Sequence, residues 1–165
     1  ATTMSNLGLE KALQALNLKL YRTQVGDKYV LEQMIKLKAN LGGEQSGHTI
    51  FLDDMSTGDG ILTSIKMLEA MVTYDVPLSE LIEGFRQLPQ ILWNVRVSKK
   101  EDFSLFPEII NTIEEIKHQL EHSGRMNVRY SGTEPVARIM IEGQNKKEIE
   151  KHAQKIADVI AKHLT

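Results

Sequence analysis

The sequence contains no cysteine, which excludes disulfides, thiolate zinc sites and a cysteine nucleophile, and is compatible with a reducing compartment. It also lacks a basic excess: 20 Lys and Arg face 22 Asp and Glu, for a formal net charge of −2. No global positive field is therefore available to hold a nucleic-acid backbone, and any anion site must be local. Apolar runs never exceed a few residues, far short of a membrane span, and the N-terminus has no basic-then-apolar signal pattern. With 11 Gly and 4 Pro, neither collagen nor a low-complexity segment is in prospect. The expectation is a soluble, cytoplasmic chain with no nucleic-acid or membrane partner.

What is present is an ordinary globular composition, 41% hydrophobic and 25% charged over 165 residues, enough for one typical domain or two small ones. Ala1-Thr2-Thr3-Met4 is β-prone and begins without a turn or cap, as a strand cut partway would. Leu9, Leu13 and Leu16 have helical spacing, and residues 18 to 22 read as a short strand. Gly26-Asp27 signals a helix start, followed by Val30, Leu31, Met34, Ile35 and Leu37 on one face. Asn40 to Gly43 reads as a break, and His48 to Leu52 as a strand. After Thr57-Gly58-Asp59-Gly60, the residues Ile61, Leu62, Ile65, Leu68, Met71 and Val72 form a wide apolar stripe, and Pro77 to Gly84 predicts one more short helix.

From Ile91 the pattern restarts. It gives a strand to Val97, a helix from Phe106 to Glu121, strands at Met126 to Tyr130 and Ala137 to Glu142, and a last helix over 145 to 164. The predicted class is α/β: a three-layer-type lobe over 1–88, N-terminally incomplete, then a smaller β-α-β-β-α lobe over 89–165.

Three loops could carry chemistry. Arg129-Tyr130-Ser131-Gly132-Thr133-Glu134-Pro135, with Arg138 beyond it, combines two hydroxyls, a permissive glycine and a guanidinium as a phosphate site requires. The same residues also suit a plain hairpin turn capped by Ser131 and Thr133. Gly42-Gly43-Glu44-Gln45-Ser46-Gly47-His48 offers the mixed donors and acceptors that polyols need, or is simply a glycine-hinged connection. Gly26-Asp27-Lys28-Tyr29 pairs a carboxylate with an ammonium at a helix start, where Asp27 could equally be a cap.

Metal readings fare worse. Asp53, Asp54 and Asp59 do not fit a calcium loop, because Met55 and Ser64 fall on ligand positions, and Thr57 or Asp59 is expected to cap the third helix instead. His118 and His122 stand i,i+4 without the glutamate of a zinc-protease helix. The lysines of the last helix, Lys146, Lys147, Lys151, Lys155 and Lys162, read as its solvated face.

In order and spacing, the segments Thr3 to Leu9, Val25 to Val30, Gly43 to His48, Thr57 to Gly60 and Arg129 to Pro135 resemble the α-D-phosphohexomutase superfamily over nearly the whole chain. The resemblance is to most of that family's third domain followed by its fourth. It implies that Glu44 and Ser46 bind sugar hydroxyls and that His48 lies near the reacting groups, a possible catalytic residue. It further implies that Asp27 and Lys28 belong to an active-site loop, and that Arg129, Ser131, Gly132 and Thr133 hold the substrate's non-transferring phosphate. Lys28 stands where the family pattern has arginine, and an ammonium cannot reproduce the planar fork of a guanidinium.

The implied reaction is interconversion of glucosamine 6-phosphate and glucosamine 1-phosphate through a bisphosphorylated intermediate, on the way to UDP-N-acetylglucosamine and cell-wall precursors. Gln45 favours this hexosamine over the glucose and mannose phosphates used elsewhere in the superfamily; a fragment of a glucose- or mannose-phosphate mutase is the alternative within the superfamily, and a stand-alone sugar-phosphate binding module the alternative outside it. The family's phosphoserine motif and its Asp-rich magnesium loop belong to the first two domains and do not occur here. The chain alone is thus expected to be inactive, with Mg2+ and those two domains as its missing partners.

Overall fold

The computed structural model describes residues 1–121 and 123–165, and His122, one half of the i,i+4 histidine pair, lies outside the described residues. The chain divides into two compact units, Ala1–Gln87 and Leu88–Thr165.

In the first unit, α1 (Leu7–Ala15) starts at Asn6, whose side chain accepts from the Gly8 amide and so satisfies one donor of the open first turn. The stretch 18–22, expected as a strand, forms no ladder: Thr2 and Thr23 make a single parallel bridge, and no strand among the described residues lies alongside to extend it. The segment is fixed through Arg22 instead, which donates to Glu10 Oε2 at 3.0 Å and to the Ser5 carbonyl at 2.7 Å.

Next comes α2 (Asp27–Leu37), which buries Val30 and Met34 against Ile50 of the hairpin β1 (Leu41–Gly43) and β2 (Thr49–Phe51). The pair is antiparallel, with Leu41 opposite Phe51 and Gly43 opposite Thr49. The break expected at Asn40 to Gly43 is therefore strand from Leu41 onward. Its glycine content reflects packing: a Cβ on Gly42 would collide with Val30 and the Met34 sulfur above it.

After the hairpin, α3 (Gly60–Tyr74) is capped by Asp59, which accepts from the Leu62 amide at 2.7 Å, and a single turn, α4 (Leu78–Leu81), follows. The apolar stripe of α3 exists as predicted, yet none of its residues is buried, and Ile61, Ile65, Leu68 and Val72 all face solvent. A two-stranded sheet three residues long offers too little surface to cover a four-turn helix.

The second unit has the expected β-α-β-β-α order: β3 (Gln90–Arg96), α5 (Pro107–Leu120), β4 (Gly124–Tyr130), β5 (Val136–Gly143) and α6 (Lys146–Leu164), with a single 3-10 turn at Phe103–Leu105. The strands lie in the order β3-β5-β4, all antiparallel. Alternation along the central strand β5 aims Ala137, Ile139 and Ile141 into a core shared with Ile109 and Ile116 of α5 and Ile149, Ile156 and Ile160 of α6. Asn145 caps α6 through its Lys147 and Glu148 amides. Two of the lysines read as a solvated face do more: Lys155 reaches Glu115, and Lys162, together with His163, reaches Glu108, each at 2.7 Å, tying α6 to α5.

One polar group is embedded where the hydrophobic pattern alone placed only strand. Glu142 is fully buried, and its carboxylate accepts from Gln90 Nε2 at 2.6 Å and Arg125 Nε at 2.5 Å. Both partners stand directly opposite it, on β3 and β4.

Candidate functional site

In the first unit the structure gathers Asp27, Glu44 and His48. The turn before α2 presents the Gly26 amide to Glu44 Oε1 at 3.0 Å, which orients that carboxylate from a second loop. Asp27 opens α2 as its first residue, after Gly26 in the cap position, and its Oδ1 accepts from the Lys28 amide at 2.8 Å. A carboxylate here is favoured by the helix dipole and the open first-turn donors.

The other Asp27 oxygen lies 3.8 Å from His48 Nε2, beyond direct hydrogen-bond length but within reach of one bridging water or a substrate hydroxyl. The His48 ring in turn rests on Gly58, where any Cβ would overlap it. The Thr57 to Gly60 turn thus does two jobs, seating the imidazole and, through Asp59, starting α3. Ser46 is exposed, and its hydroxyl makes no hydrogen bond among the described residues. Lys28 points along its own helix to Glu32 at 3.8 Å and is three-quarters exposed. Beside the loop, Glu44, Gln45, Asn6 and Leu9 line an open cavity of about 500 Å³.

In the second unit, Arg129, Ser131, Gly132 and Thr133 fall on the β4–β5 connection. Register sets Arg129 directly opposite Arg138, a like-charge pair that is unfavourable unless something negative lies near it. Arg138 is answered by Glu134 at 2.5 Å, and its Nε has no partner among the described residues. Arg129 is exposed, and its side chain's only hydrogen-bond contact among the described residues is a long one of 3.4 Å to the Tyr130 carbonyl. Ser131 is buried, and its Oγ accepts from the Glu134 amide at 3.4 Å. The turn-capping role is therefore real for Ser131 and coexists with an open loop. The consecutive amides of Gly132 and Thr133 make no hydrogen bond among the described residues, and the space a Gly132 side chain would fill is empty.

The loop is braced from the segment after β3. Val97 N donates to the Pro135 carbonyl at 3.0 Å, Tyr130 Oη donates to the Glu101 carbonyl at 2.7 Å, and Phe103 stacks on the Tyr130 ring. Burial first, then the Glu101 and Asp102 carboxylates, raise the Tyr130 phenol above its ordinary value, so it remains a donor. Lys100 Nζ donates to the carbonyls of Ser131 and Gly132, at 2.7 and 3.3 Å.

Two adjacent amides without partners among the described residues, on the loop that follows Arg129, are groups able to accept an anion. Sequence alone exposed the hydroxyls and the arginine. It could not expose Lys100, which lies 31 residues from Ser131 in the chain, nor the Gly58 seat of His48, since neither spacing belongs to any local pattern. No three His, Asp or Glu side chains among the described residues are grouped so as to hold a metal ion. The Asp53, Asp54 and Asp59 set is dispersed: Asp53 accepts from Asn40, Asp54 pairs with Lys66, and Asp59 caps α3.

Comparison with known proteins supplies the family. Residues 1–88 match the phosphoglucomutase/phosphomannomutase alpha/beta/alpha domain III, and residues 92–159 match the phosphoglucomutase/phosphomannomutase C-terminal domain. The chain belongs to the phosphoglucomutase/phosphomannomutase family. It is 49% identical over 163 residues to the phosphoglucosamine mutase of Pelobacter propionicus, covering 99% of this chain and 36% of that protein. Similarity to the phosphoglucosamine mutase of Syntrophotalea carbinolica is of the same size, 49% over 164 residues, again 99% of this chain and 36% of the relative.

In fold it resembles the N-acetylphosphoglucosamine mutase of Aspergillus fumigatus, with a TM-score of 0.76 at 19% identity, over 98% of this chain and 37% of that one. The chain thus spans little more than a third of the proteins it matches in this phosphohexomutase family. Among the described residues no helix is long and apolar enough to cross a membrane.

Proposed function

We propose that this chain is the sugar-phosphate-binding portion of a cytoplasmic phosphoglucosamine mutase, an isomerase interconverting glucosamine 6-phosphate and glucosamine 1-phosphate. The observation that carries the phosphate half of this reading is the pair of amides at Gly132 and Thr133 that lack partners among the described residues, on the loop that follows Arg129. A phosphate dianion offers oxygens enough for both amides, the Ser131 and Thr133 hydroxyls and a bidentate guanidinium. The sugar half rests on Glu44, Ser46 and His48, whose carboxylate, hydroxyl and imidazole supply mixed donors and acceptors for ring hydroxyls and an amino group. Asp27, 3.8 Å from His48, sets a carboxylate within reach of a substrate hydroxyl held by that imidazole. Lys28, on the same turn, supplies a mobile point charge toward substrate.

The hexosamine assignment is supported by the names of the relatives at 49% identity and by Gln45 in the sugar loop. Phosphoryl transfer needs an in-line donor and charge neutralisation. The phosphoserine and magnesium that the family resemblance implies would come from the first two domains, within the stretch of the relatives that this chain does not span. The residues present do not fit a metal site, and their role is to bind and orient.

Calorimetric titration tests this. Glucosamine 6-phosphate should bind, glucosamine should bind far more weakly, and Arg129→Ala should cost about 1.5–3 kcal/mol of affinity, as for a lost hydrogen bond to a charged group. Equal affinity of wild type and Arg129→Ala would remove the phosphate loop, and a clear preference for mannose 6-phosphate would remove the hexosamine assignment. Adding a separately produced protein carrying the first two domains should restore mutase turnover; turnover by this chain alone would falsify the division of labour.

A further inference from the structure

Lys100 lies outside every motif recognised in the sequence, yet it is the side chain that touches the backbone at the centre of the anion loop. Its ammonium donates to two successive carbonyls, those of Ser131 and Gly132, at 2.7 and 3.3 Å. In a trans peptide the C=O and the following N–H point in opposite directions, and there are no cis bonds among the described residues. Drawing the Ser131 and Gly132 carbonyls toward Nζ therefore turns the Gly132 and Thr133 amides away from it. Those are the two amides that lack partners among the described residues. The same segment holds both ends of the loop, through Tyr130 Oη on the Glu101 carbonyl and Val97 N on the Pro135 carbonyl. Lys100 fixes the middle.

We propose that Lys100 is a positioning residue of the anion site. It pins the loop by its carbonyl face so that the amide face is already formed when phosphate arrives, and it acts from the side opposite the ligand rather than as a phosphate contact. The inference rests on the reading of Arg129 to Thr133 as a phosphate loop. Pre-forming the loop spares the entropy of ordering it on binding, and the ammonium withdraws electron density through the two peptide groups, making their amides better donors.

The test is a titration of the whole chain with inorganic phosphate and with glucosamine 6-phosphate, followed by amide NMR and calorimetry, for wild type, Lys100→Met, Lys100→Arg and Arg129→Ala. In wild type, the Gly132 and Thr133 amide protons should move downfield on saturation. Lys100→Met should weaken both ligands about five- to tenfold, the size of an ordinary hydrogen bond and less than a lost charged contact, and should shrink those two shifts even at saturation. Lys100→Arg, which can still donate to two carbonyls, should recover most of both. Because Lys100 is exposed, the thermal midpoint should hardly change, which separates positioning from a general structural role. Full amide shifts and unchanged affinity in Lys100→Met, alongside a weakened Arg129→Ala, would overturn the role of Lys100 alone. If neither variant changes affinity, or the wild-type amides do not respond to phosphate, the phosphate loop itself falls and this inference with it.

Discussion

The two units were built from the same kind of sequence pattern and came out differently buried. In the second, the stripes of α5 and α6 vanish beneath a three-stranded sheet, leaving Ile116, Ile139, Ile141 and Ile160 with no exposed surface. In the first, the buried hydrophobic cluster is Val30, Met34 and Ile50, while α3 carries an apolar stripe of similar regularity that stays in solvent. An amphipathic stripe reports that a helix will form and which face it would bury; whether it does bury that face depends on the sheet area available. Here that area is three strands of seven or eight residues in one unit and two of three residues in the other.

The largest test of this contrast replaces one isoleucine in each unit. Ile139→Ala should lower stability by about 2–5 kcal/mol, the usual cost of emptying a packed core site, whereas Ile65→Ala should change it by less than about 0.5 kcal/mol. Denaturant unfolding of the two variants measures both. Comparable losses would break the contrast and mean that α3 is covered in solution.

A middle-sized effect concerns the helix caps. Asp59→Ala on α3 and Asn145→Ala on α6 should each cost about 1 kcal/mol of helix stability. The loss at Asn145 should appear in global unfolding, because α6 carries much of its unit's core. At Asp59 it should appear as faster amide exchange in the first turn of α3 without a comparable global change. Equal global losses would mean that α3 is as integrated as α6.

The smallest effect is a pH dependence confined to the second unit. Hydrogen bonds from Lys162 and then His163 hold the Glu108 carboxyl below its ordinary value. A depressed carboxylate contributes stability above its unfolded-state value, about 4.3, and loses it as pH falls through the folded-state value. Wild type should therefore be slightly more stable than Glu108→Gln near neutrality, and the difference should close in acid. Salt should also shrink it, since the pair is exposed. Denaturant midpoints across that range would show it, and a difference that persisted in acid would count against the ion pair.

Much of the architecture was legible from spacing. The β-α-β-β-α order and every helix of the first unit follow from periodicity and from caps such as Asp59, because these are local in the chain. Residues 18–22 and Leu41–Gly43 depart from their local sequence pattern for one shared reason. A strand is defined by its partner: Arg22's stretch has the composition of a strand but no neighbouring strand among the described residues, and the glycine-rich Leu41–Gly43 looks like a turn yet has β2 beside it. The candidate site divides in the same way. Ser131, Arg129 and Glu44 were visible as residue types on loops. The contacts that orient them, Gly26 to Glu44, Gly58 to His48 and Lys100 to Ser131, join distant parts of the chain and leave no periodic trace.

The buried Glu142 has an influence that reaches the other end of its hairpin. Its carboxylate accepts from Gln90 and Arg125, which stand opposite it. Sliding either neighbour by one residue would turn its side chain to the far face and take a donor from a buried carboxylate. The row therefore works as an alignment key. Because strand pairing is continuous from Arg125 to Tyr130, that key also dictates that Arg129 meets Arg138 and that five residues, no more and no fewer, bridge the gap between Tyr130 and Val136. A loop lengthened or shortened by one residue could keep all its polar groups and still lose its shape, because the constraint on its length is enforced at the opposite end of the sheet.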